Sequence, residues 1–407
     1  MYIFKAAVVG AGTMGGEIAQ VITYSGLPVV MKDIDQAMLD KGMERIHSIY
    51  RGRVAKGKMS EGEMQSKIDL VTPTLTYDEF EDVDIVIEAV PEKMAVKQAV
   101  LKELEQVCPE QTIFASNTSA LSVSEMGAAT GKPHKVIGMH FFNPAHVMKL
   151  VEIIPGLDTD QETIDDVEMF TTSLRKLPVV VQECPGFLVN RLLMPYLNEA
   201  TKALEEGSAT AAEIDQAVVG WGMPMGPFTL MDMLGIDICG HVGEYLYSEY
   251  GERMAPAALF PKLIEAGRLG EKSGAGFYDH PGGESPVVKK MIQELQSSGA
   301  VRTGSVFNID RLMLPLINEA ALCVQENIAT IPDIDMSMVA GTGMTYGGER
   351  LGPLAVADKI GLDVVVEKLE ALAQELGPRF RPSRPLKLRA RANHLGEKTA
   401  RGFHEYA

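Results

Sequence analysis

Cysteine is scarce: four residues in 407, at positions 108, 184, 239 and 323. That spacing forms neither a CxxC pair nor a zinc ribbon, and four thiols are too few for a disulfide framework, so a reduced, cytoplasmic setting is expected. Long apolar runs are also missing. No stretch of about 18 uninterrupted apolar residues occurs, which excludes a helical membrane span. Residues 1–9 are apolar, but no basic segment precedes them and no cleavage site follows, so a signal peptide is not expected. Positive charge is in deficit, with Lys plus Arg at 38 against 55 Asp plus Glu and a formal net charge of −17. A general nucleic-acid binder draws its affinity from phosphate neutralisation, so that class is excluded, and an anionic ligand must find a local basic patch. HxH, HExxH and GxSxG are absent. His140 and His146, six residues apart, make poor metal ligands, so no metal is expected, and a serine hydrolase lacks its nucleophile elbow.

What is present is a 46% apolar chain long enough for two or three folding units. Up to residue 183, short β-branched runs alternate with helical patterns, as in a parallel sheet with crossover helices. Strands are predicted at 6–9, 28–32, 84–90, 112–115, 135–139, 151–154 and 178–182. After Cys184-Pro185-Gly186 the alternation stops and amphipathic helices follow, joined by Gly and Pro turns. This helical part repeats. Asn190-Arg191-Leu192-Leu193-Met194-Pro195 with Asn198-Glu199-Ala200 matches Asp310-Arg311-Leu312-Met313-Leu314-Pro315 with Asn318-Glu319-Ala320, an offset of 310 − 190 = 120. Gly270-Glu271-Lys272-Ser273 with Gly276-Phe277 matches Gly396-Glu397-Lys398-Thr399 with Gly402-Phe403 at an offset of 126, so the copies differ by a short insertion. Pro281–Pro286 opens the linker between them. Three domains are therefore expected, at 1–183, 184–282 and 304–407.

Gly10-Ala11-Gly12-Thr13-Met14-Gly15 lies directly after the first strand and before a helical pattern that closes at Gly26. Alone, GxGxxG is a weak signal; between a strand and a helix it is a dinucleotide loop. Gly10 makes the tight turn, Gly12 lets a pyrophosphate approach the backbone, Gly15 lets helix and strand pack, and the helix N-terminus offers unpaired N–H groups to phosphate. Asp33, at the end of the second strand, is placed to accept hydrogen bonds from a ribose and to repel a 2′-phosphate, which favours NAD over NADP, although Lys32 is adjacent. The fold class is therefore α/β, a Rossmann-type doubly wound sheet followed by two tandem all-α domains.

Ligands of such sheets bind beyond the carboxyl ends of the strands. Polar residues there include Ser116-Asn117-Thr118-Ser119, His140-Phe141-Phe142-Asn143-Pro144 and, on the sixth strand, Glu152. Oxidising an alcohol by hydride transfer needs a base for the hydroxyl proton, and His140 is the best-placed one. Glu152 is the natural carboxylate to orient the imidazole and favour its imidazolium form. A histidine at a strand end is in general more often structural; the nucleotide fold beside this one reverses that preference. Between the second strand and the one predicted at 84–90, Arg51, Arg53, Lys56 and Lys58 form a basic tract, either a solvated helix face or a site attracting a phosphorylated substrate. The basic tail from Arg379 to Arg401 is assigned to packing or surface charge.

Taken together, Ser116–Ser119, His140–Pro144 with Met148–Glu152, and Pro185-Gly186-Phe187 running into Asn190-Arg191 resemble the (S)-3-hydroxyacyl-CoA dehydrogenase family over essentially the whole chain. The resemblance implies His140 as catalytic base paired with Glu152. It also implies that Ser119 and Asn190 hold the substrate's hydroxyl and carbonyl oxygens, and that Asp33, Glu92, Lys97, Asn117 and Asn143 contact NAD. A helical hairpin near residues 41–70 would meet coenzyme A, in agreement with the basic tract at Arg51, Lys56 and Lys58. The tandem helical domains resemble the dehydrogenase half of multifunctional β-oxidation proteins; because the chain starts at the first nucleotide strand, hydratase activity is expected to be absent. Asp310 replaces the catalytic asparagine, so the second repeat is expected to be structural and to fill the place of a dimer partner, giving a monomer that is a pseudo-dimer, or else a homodimer. Two other readings stay open: a dehydrogenase of sugar acids or other 3-hydroxy acids, and a non-catalytic NAD-binding protein of the lens-crystallin kind.

Overall fold

Short apolar runs buried on both faces build the first half of the chain. The computed structural model describes residues 2–406. The strands β1 (Ala6–Val9), β2 (Val29–Lys32), β3 (Val71–Thr74), β4 (Ile85–Glu88), β5 (Ile113–Ser116), β6 (Val136–Phe141), β7 (Leu150–Pro155) and β8 (Leu177–Val180) form one sheet. Its order is β3-β2-β1-β4-β5-β6-β7-β8. Every position of β1, β2, β4, β5, β6 and β7 is buried, as helices on both faces of a parallel sheet require. One core runs through the helix Thr13–Tyr24, the helix Gln36–Ala55 and the sheet, with Ile18, Ile22, Met31, Ile46, Ile85, Ile87 and Ile137 at its centre.

Two features depart from the sequence pattern. β3 was not anticipated, because Val71-Thr72-Pro73-Thr74 holds a proline; it forms at the edge of the sheet, where a missing N–H breaks no ladder bond on the open side. β7 runs antiparallel to β6, since residues 142–149 are too few for the dozen or so that a parallel crossover needs. This reversal sets His140 directly opposite Glu152 in the ladder.

The chain divides into two compact units, the first ending at Phe187 and the second beginning at Leu188. The second is helical, and both repeats lie within it. Their central helices, Val189–Glu205 and Asp310–Gln325, pack on each other, and each carries an internal proline, Pro195 or Pro315. In both repeats an aspartate caps a helix: Asp215 accepts the N–H of Phe228 (2.9 Å), and Asp335 accepts that of Leu354 (2.7 Å). A second buried aspartate receives the strand-like turn that follows, Asp232 from Phe277 N–H (2.8 Å) and Asp358 from Phe403 N–H (2.9 Å). A Cβ on Gly276 or Gly402 would sit 2.0 Å from these carboxylates, which is why the repeat preserves Gly-Phe there. Among the described residues no helix is long and apolar enough to cross a membrane. Among the described residues the four cysteines form no disulfide, and three are buried.

Glu205, 5% exposed, has its carboxyl pushed up to about 7; burial is the cause, opposed by hydrogen bonds from the backbone N–H groups of Leu259 (3.0 Å) and Ala258. Its folded pKa lies above the unfolded value, so between roughly pH 4.3 and 7 the folded state binds more protons and stability falls as pH rises. The repeat-related position is Gln325. Glu205→Gln is therefore expected to stabilise the fold at pH 8, by on the order of 3 to 4 kcal/mol at most, and so to raise the melting temperature there. The gain should fade toward pH 4.5; an equal gain at both pH values would show that charge burial is not its source.

Candidate active site

The switch point of the sheet lies between β1 and β4, and the carboxyl ends of β1, β4, β5 and β6 open on one edge. At the end of β1, Gly10 adopts φ +100°, a conformation that favours glycine, and its missing Cβ leaves room for Ala89 O, which would otherwise be 2.6 Å away. At Gly15 a Cβ would lie 1.7 Å from Gly10 O, so the helix could not approach the loop so closely. Gly12 differs. Its backbone is extended (φ −66°, ψ −168°), and a Cβ there would meet no protein atom within 4 Å. The space it keeps clear lies at the N-terminus of the helix Thr13–Tyr24, whose first N–H groups, including those of Thr13 and Met14, have no intrahelical acceptor. The space is open to an approaching phosphate, and no protein atom there requires a glycine.

Asp33 accepts the N–H of Ala11 (2.7 Å) and of Ile34 (2.7 Å), which ties the end of β2 to the glycine loop. A carboxylate has about four acceptor positions, so capacity remains for ribose hydroxyls. Lys32 points the other way, as alternate strand residues do, and its ammonium lies 4.1 Å above the Tyr77 ring.

His140 and Glu152 form the centre. Nδ1 of His140 lies 2.7 Å from Oε2 of Glu152, with the His140 side chain 7% exposed and the Glu152 side chain fully buried. An ionised carboxylate only accepts, so Nδ1 carries the proton and Nε2 keeps the lone pair. Phe142 (centroids 4.5 Å apart) and Phe187 (5.8 Å) pack against the imidazole and fix its plane. The loop after β6 is tied down from two sides. Glu17, fully buried on the helix Thr13–Tyr24, accepts Ala145 N–H (2.5 Å) and pairs with Arg45. Lys176 donates to the carbonyls of Ala145 and Met148; burial brings its ammonium down to about 8, while Glu17 opposes the shift and Lys149 adds to it.

Beside this centre runs a chain of paired charges in which Glu92 and Lys97, named from the sequence, are joined by Glu88, which was not. Glu88, the last residue of β4, accepts from Val90 N–H (2.7 Å), Ser116 Oγ (2.6 Å) and Lys97 Nζ (2.9 and 3.0 Å). Lys97, 1% exposed, also reaches Glu92 at 3.1 Å, and Glu92 accepts from Thr118 Oγ1 (2.6 Å) and Ser119 N–H (2.8 Å). Lys97 and Glu92 thus brace the loop that carries Ser119. Asn117 Oδ1 accepts Phe141 N–H (2.9 Å), which joins the loop after β5 to the strand that holds His140. The signal for Glu88 was a charged residue closing an otherwise apolar strand, Ile85-Val86-Ile87-Glu88. Asn143 is exposed on the loop after β6.

Arg51, Lys56 and Lys58 stand apart from this centre. The helices Gln36–Ala55 and Glu61–Ile68 form a hairpin whose root touches the glycine loop, where a Cβ on Gly42 would lie 2.7 Å from Ala11 O. Arg51 is nine residues further along, roughly 14 Å at the helical rise, and it pairs with Glu44. Lys56 and Lys58 are exposed at the tip, while Arg53 packs over the Tyr24 ring at 4.3 Å. Asn190 lies in the second unit, half-buried on the first turn of the helix Val189–Glu205. Its counterpart Asp310 is paired with Lys368 at 2.8 Å. Among the described residues no cluster of His, Cys, Asp and Glu is arranged to hold a metal ion.

Comparison with known proteins agrees with this picture. Residues 5–184 match the family model of the 3-hydroxyacyl-CoA dehydrogenase NAD binding domain, and residues 186–280 and 307–406 match that of its C-terminal domain, which therefore occurs twice. A fatty acid oxidation complex subunit alpha from Psychrobacter arcticus is 38% identical over 98% of this chain and 56% of its own length. One from Acinetobacter baylyi is 38% identical over 88% of this chain and 51% of its own. The chain thus spans about half the length of these relatives. Among solved structures, 3-hydroxybutyryl-CoA dehydrogenase from Escherichia coli K12 superposes with a TM-score of 0.86 at 30% identity, covering 96% of this chain and 99% of the other. (S)-3-hydroxybutyryl-CoA dehydrogenase from Ralstonia eutropha reaches 0.66 at 41% identity over 68% of this chain and 99% of its own.

Proposed function

The chain belongs to the 3-hydroxyacyl-CoA dehydrogenase family, and from that premise we propose that it interconverts (S)-3-hydroxyacyl-CoA and 3-ketoacyl-CoA in fatty-acid β-oxidation, with His140 as the catalytic base. The observation that carries this assignment is the buried Glu152 carboxylate at 2.7 Å from Nδ1 of His140. NAD, when bound, takes the hydride that leaves C3 of the substrate. His140 Nε2 removes the hydroxyl proton as that hydride departs, and Glu152 stabilises the imidazolium that results. Ser119 and Asn190 are assigned to the hydroxyl and carbonyl oxygens of the substrate. Gly10, Gly12, Thr13, Met14 and Gly15 are assigned to the pyrophosphate, Asp33 to the ribose, and Glu92, Lys97, Asn117 and Asn143 to the rest of the cofactor. Glu88 positions Lys97.

Arg51, Lys56 and Lys58 are assigned to coenzyme A. A positive tip in a chain of net charge −17 draws polyphosphate to one place. We assign three domains, a nucleotide domain at 1–183, a helical domain at 184–282 that carries Asn190, and a second helical domain at 304–407. Because the second copy already covers the face that the first would offer to a partner, the chain is assigned as a monomer. Light scattering should give a mass near 44.2 kDa, and twice that mass would make it a homodimer. Four cysteines that form no disulfide suit a reducing cytoplasm.

The test is a coupled assay following NADH oxidation with acetoacetyl-CoA and longer 3-ketoacyl-CoA substrates, with NADPH and free 3-keto acids as controls. Turnover of the thioesters with NADH is the expected result. Turnover of free acids alone would make the protein a 3-hydroxy acid dehydrogenase instead.

A further inference from the structure

The two helical repeats exchange buried ion pairs. Arg191 of the first donates to Glu319 of the second (2.8 Å) and pairs with Glu326 (2.8 Å). Arg311 of the second donates to Glu199 (2.9 Å) and Glu206 (2.8 Å) of the first. Each residue of one set is 120 positions from its counterpart in the other, as in Arg191 and Arg311, Glu199 and Glu319, or Glu206 and Glu326. The outer arginines follow the same rule at an offset of 126, with Arg253 on Glu319 (3.2 Å) and Arg379 on Glu199 (2.5 Å). The pairs are thus pseudo-symmetric, although Glu199 also meets Lys202 at 3.7 Å and Glu326 is more exposed than Glu206. Both arginines are essentially fully buried.

The symmetry breaks at the residue before each arginine. Before Arg191 stands Asn190, on the first turn of its helix; before Arg311 stands Asp310, bound to Lys368 at 2.8 Å. We propose that Glu319 is a positioning residue for the reaction: by neutralising Arg191 it fixes the helical turn that presents Asn190, so the second repeat, which carries no chemistry of its own, sets the geometry of the first. The inference rests on the assignment of Asn190 to substrate binding. Removing one partner of a buried pair leaves an uncompensated charge, and the element bearing it must shift. At Arg191 that shift moves Asn190. At Arg311 it moves only Asp310.

The twin pair provides an internal control. Glu319→Gln and Glu199→Gln should both lower the melting temperature. Only Glu319→Gln should lower kcat for the 3-ketoacyl-CoA, by about tenfold to a hundredfold, as displacements near 1 Å do, with KM for NADH unchanged. Should Glu319→Gln not fold, Glu326→Gln against Glu206→Gln makes the same comparison at the outer carboxylates. Equal kcat in the two members of a pair, whether both fall or neither does, overturns the proposal. Asn190→Ala, assayed beside them, separates this from the assignment beneath it: loss of turnover there without a difference between the twins sinks the positioning role alone, whereas full turnover removes Asn190 from the reaction and the proposal with it.

Discussion

His140→Ala is expected to lower turnover of 3-ketoacyl-CoA by about 10²- to 10⁴-fold, the range for loss of a positioned acid–base group, while NADH binds as before. On the proposed mechanism the same imidazole supplies, in the reductive direction, the proton to the oxygen as hydride arrives at C3, so the variant would have to draw that proton from water. The nucleotide loop is built from β1 and the helix Thr13–Tyr24, and none of its hydrogen bonds or close approaches passes through His140. Glu152→Gln should be nearly as damaging, for a different reason. A glutamine turned to donate its amide N–H to Nδ1 forces the ring proton onto Nε2, so the ring faces substrate in the wrong tautomer for a base. Steady-state NADH absorbance gives kcat, and quenching of protein fluorescence by NADH gives the binding constant. If His140→Ala keeps turnover within a few fold of the parent, the histidine is not the base. If Glu152→Gln does so while His140→Ala does not, the carboxylate is a structural partner only.

Much of this centre is legible in the sequence, because its signals are local. The glycine loop, Asp33 and the strand-end histidine each announce themselves within a few residues, and the strands beneath them are continuous apolar runs whose burial needs no tertiary override. The pairing of His140 with Glu152 follows from the sequence only as chemistry between two strand ends; its geometry comes from the short link at 142–149, which reverses β7. β3 was illegible because Pro73 signals a turn locally and is tolerated only by an edge, which is a property of the whole sheet. Glu88, Glu17 and Lys176 went unread for a related reason: each is a lone charge in its own segment, and its partners come from sequence-distant elements, such as Ser116 for Glu88 and Ala145 for Glu17. The inter-repeat ion pairs lie between these cases. The repeat was visible as matching words, but Arg191 and Glu319 become partners only when two copies of one motif pack about a pseudo-two-fold axis, which crosses rather than parallels the alignment.

The glycine loop yields the second large effect, because two of its glycines are required for different reasons. Gly12→Ala places a methyl where the protein has no atom within 4 Å and where the backbone (φ −66°, ψ −168°) suits alanine, so the fold and its melting temperature should be preserved. The methyl instead occupies the approach of the pyrophosphate. Overpacking of one methyl costs about 1–3 kcal/mol, which weakens NADH binding by roughly five- to 150-fold. Gly15→Ala puts its Cβ 1.7 Å from the backbone oxygen of Gly10, a clash no rotamer relieves. The helix Thr13–Tyr24 must then move off β1, where Val8 and Ile18 are fully buried, and both the melting temperature and NADH affinity should fall together. Calorimetry and a fluorescence titration of each variant suffice. A Gly12→Ala protein that binds NADH normally would mean that the dinucleotide does not pass over this loop; a Gly15→Ala protein with unchanged stability would mean that helix and strand are not packed at the distance that the glycine alone permits.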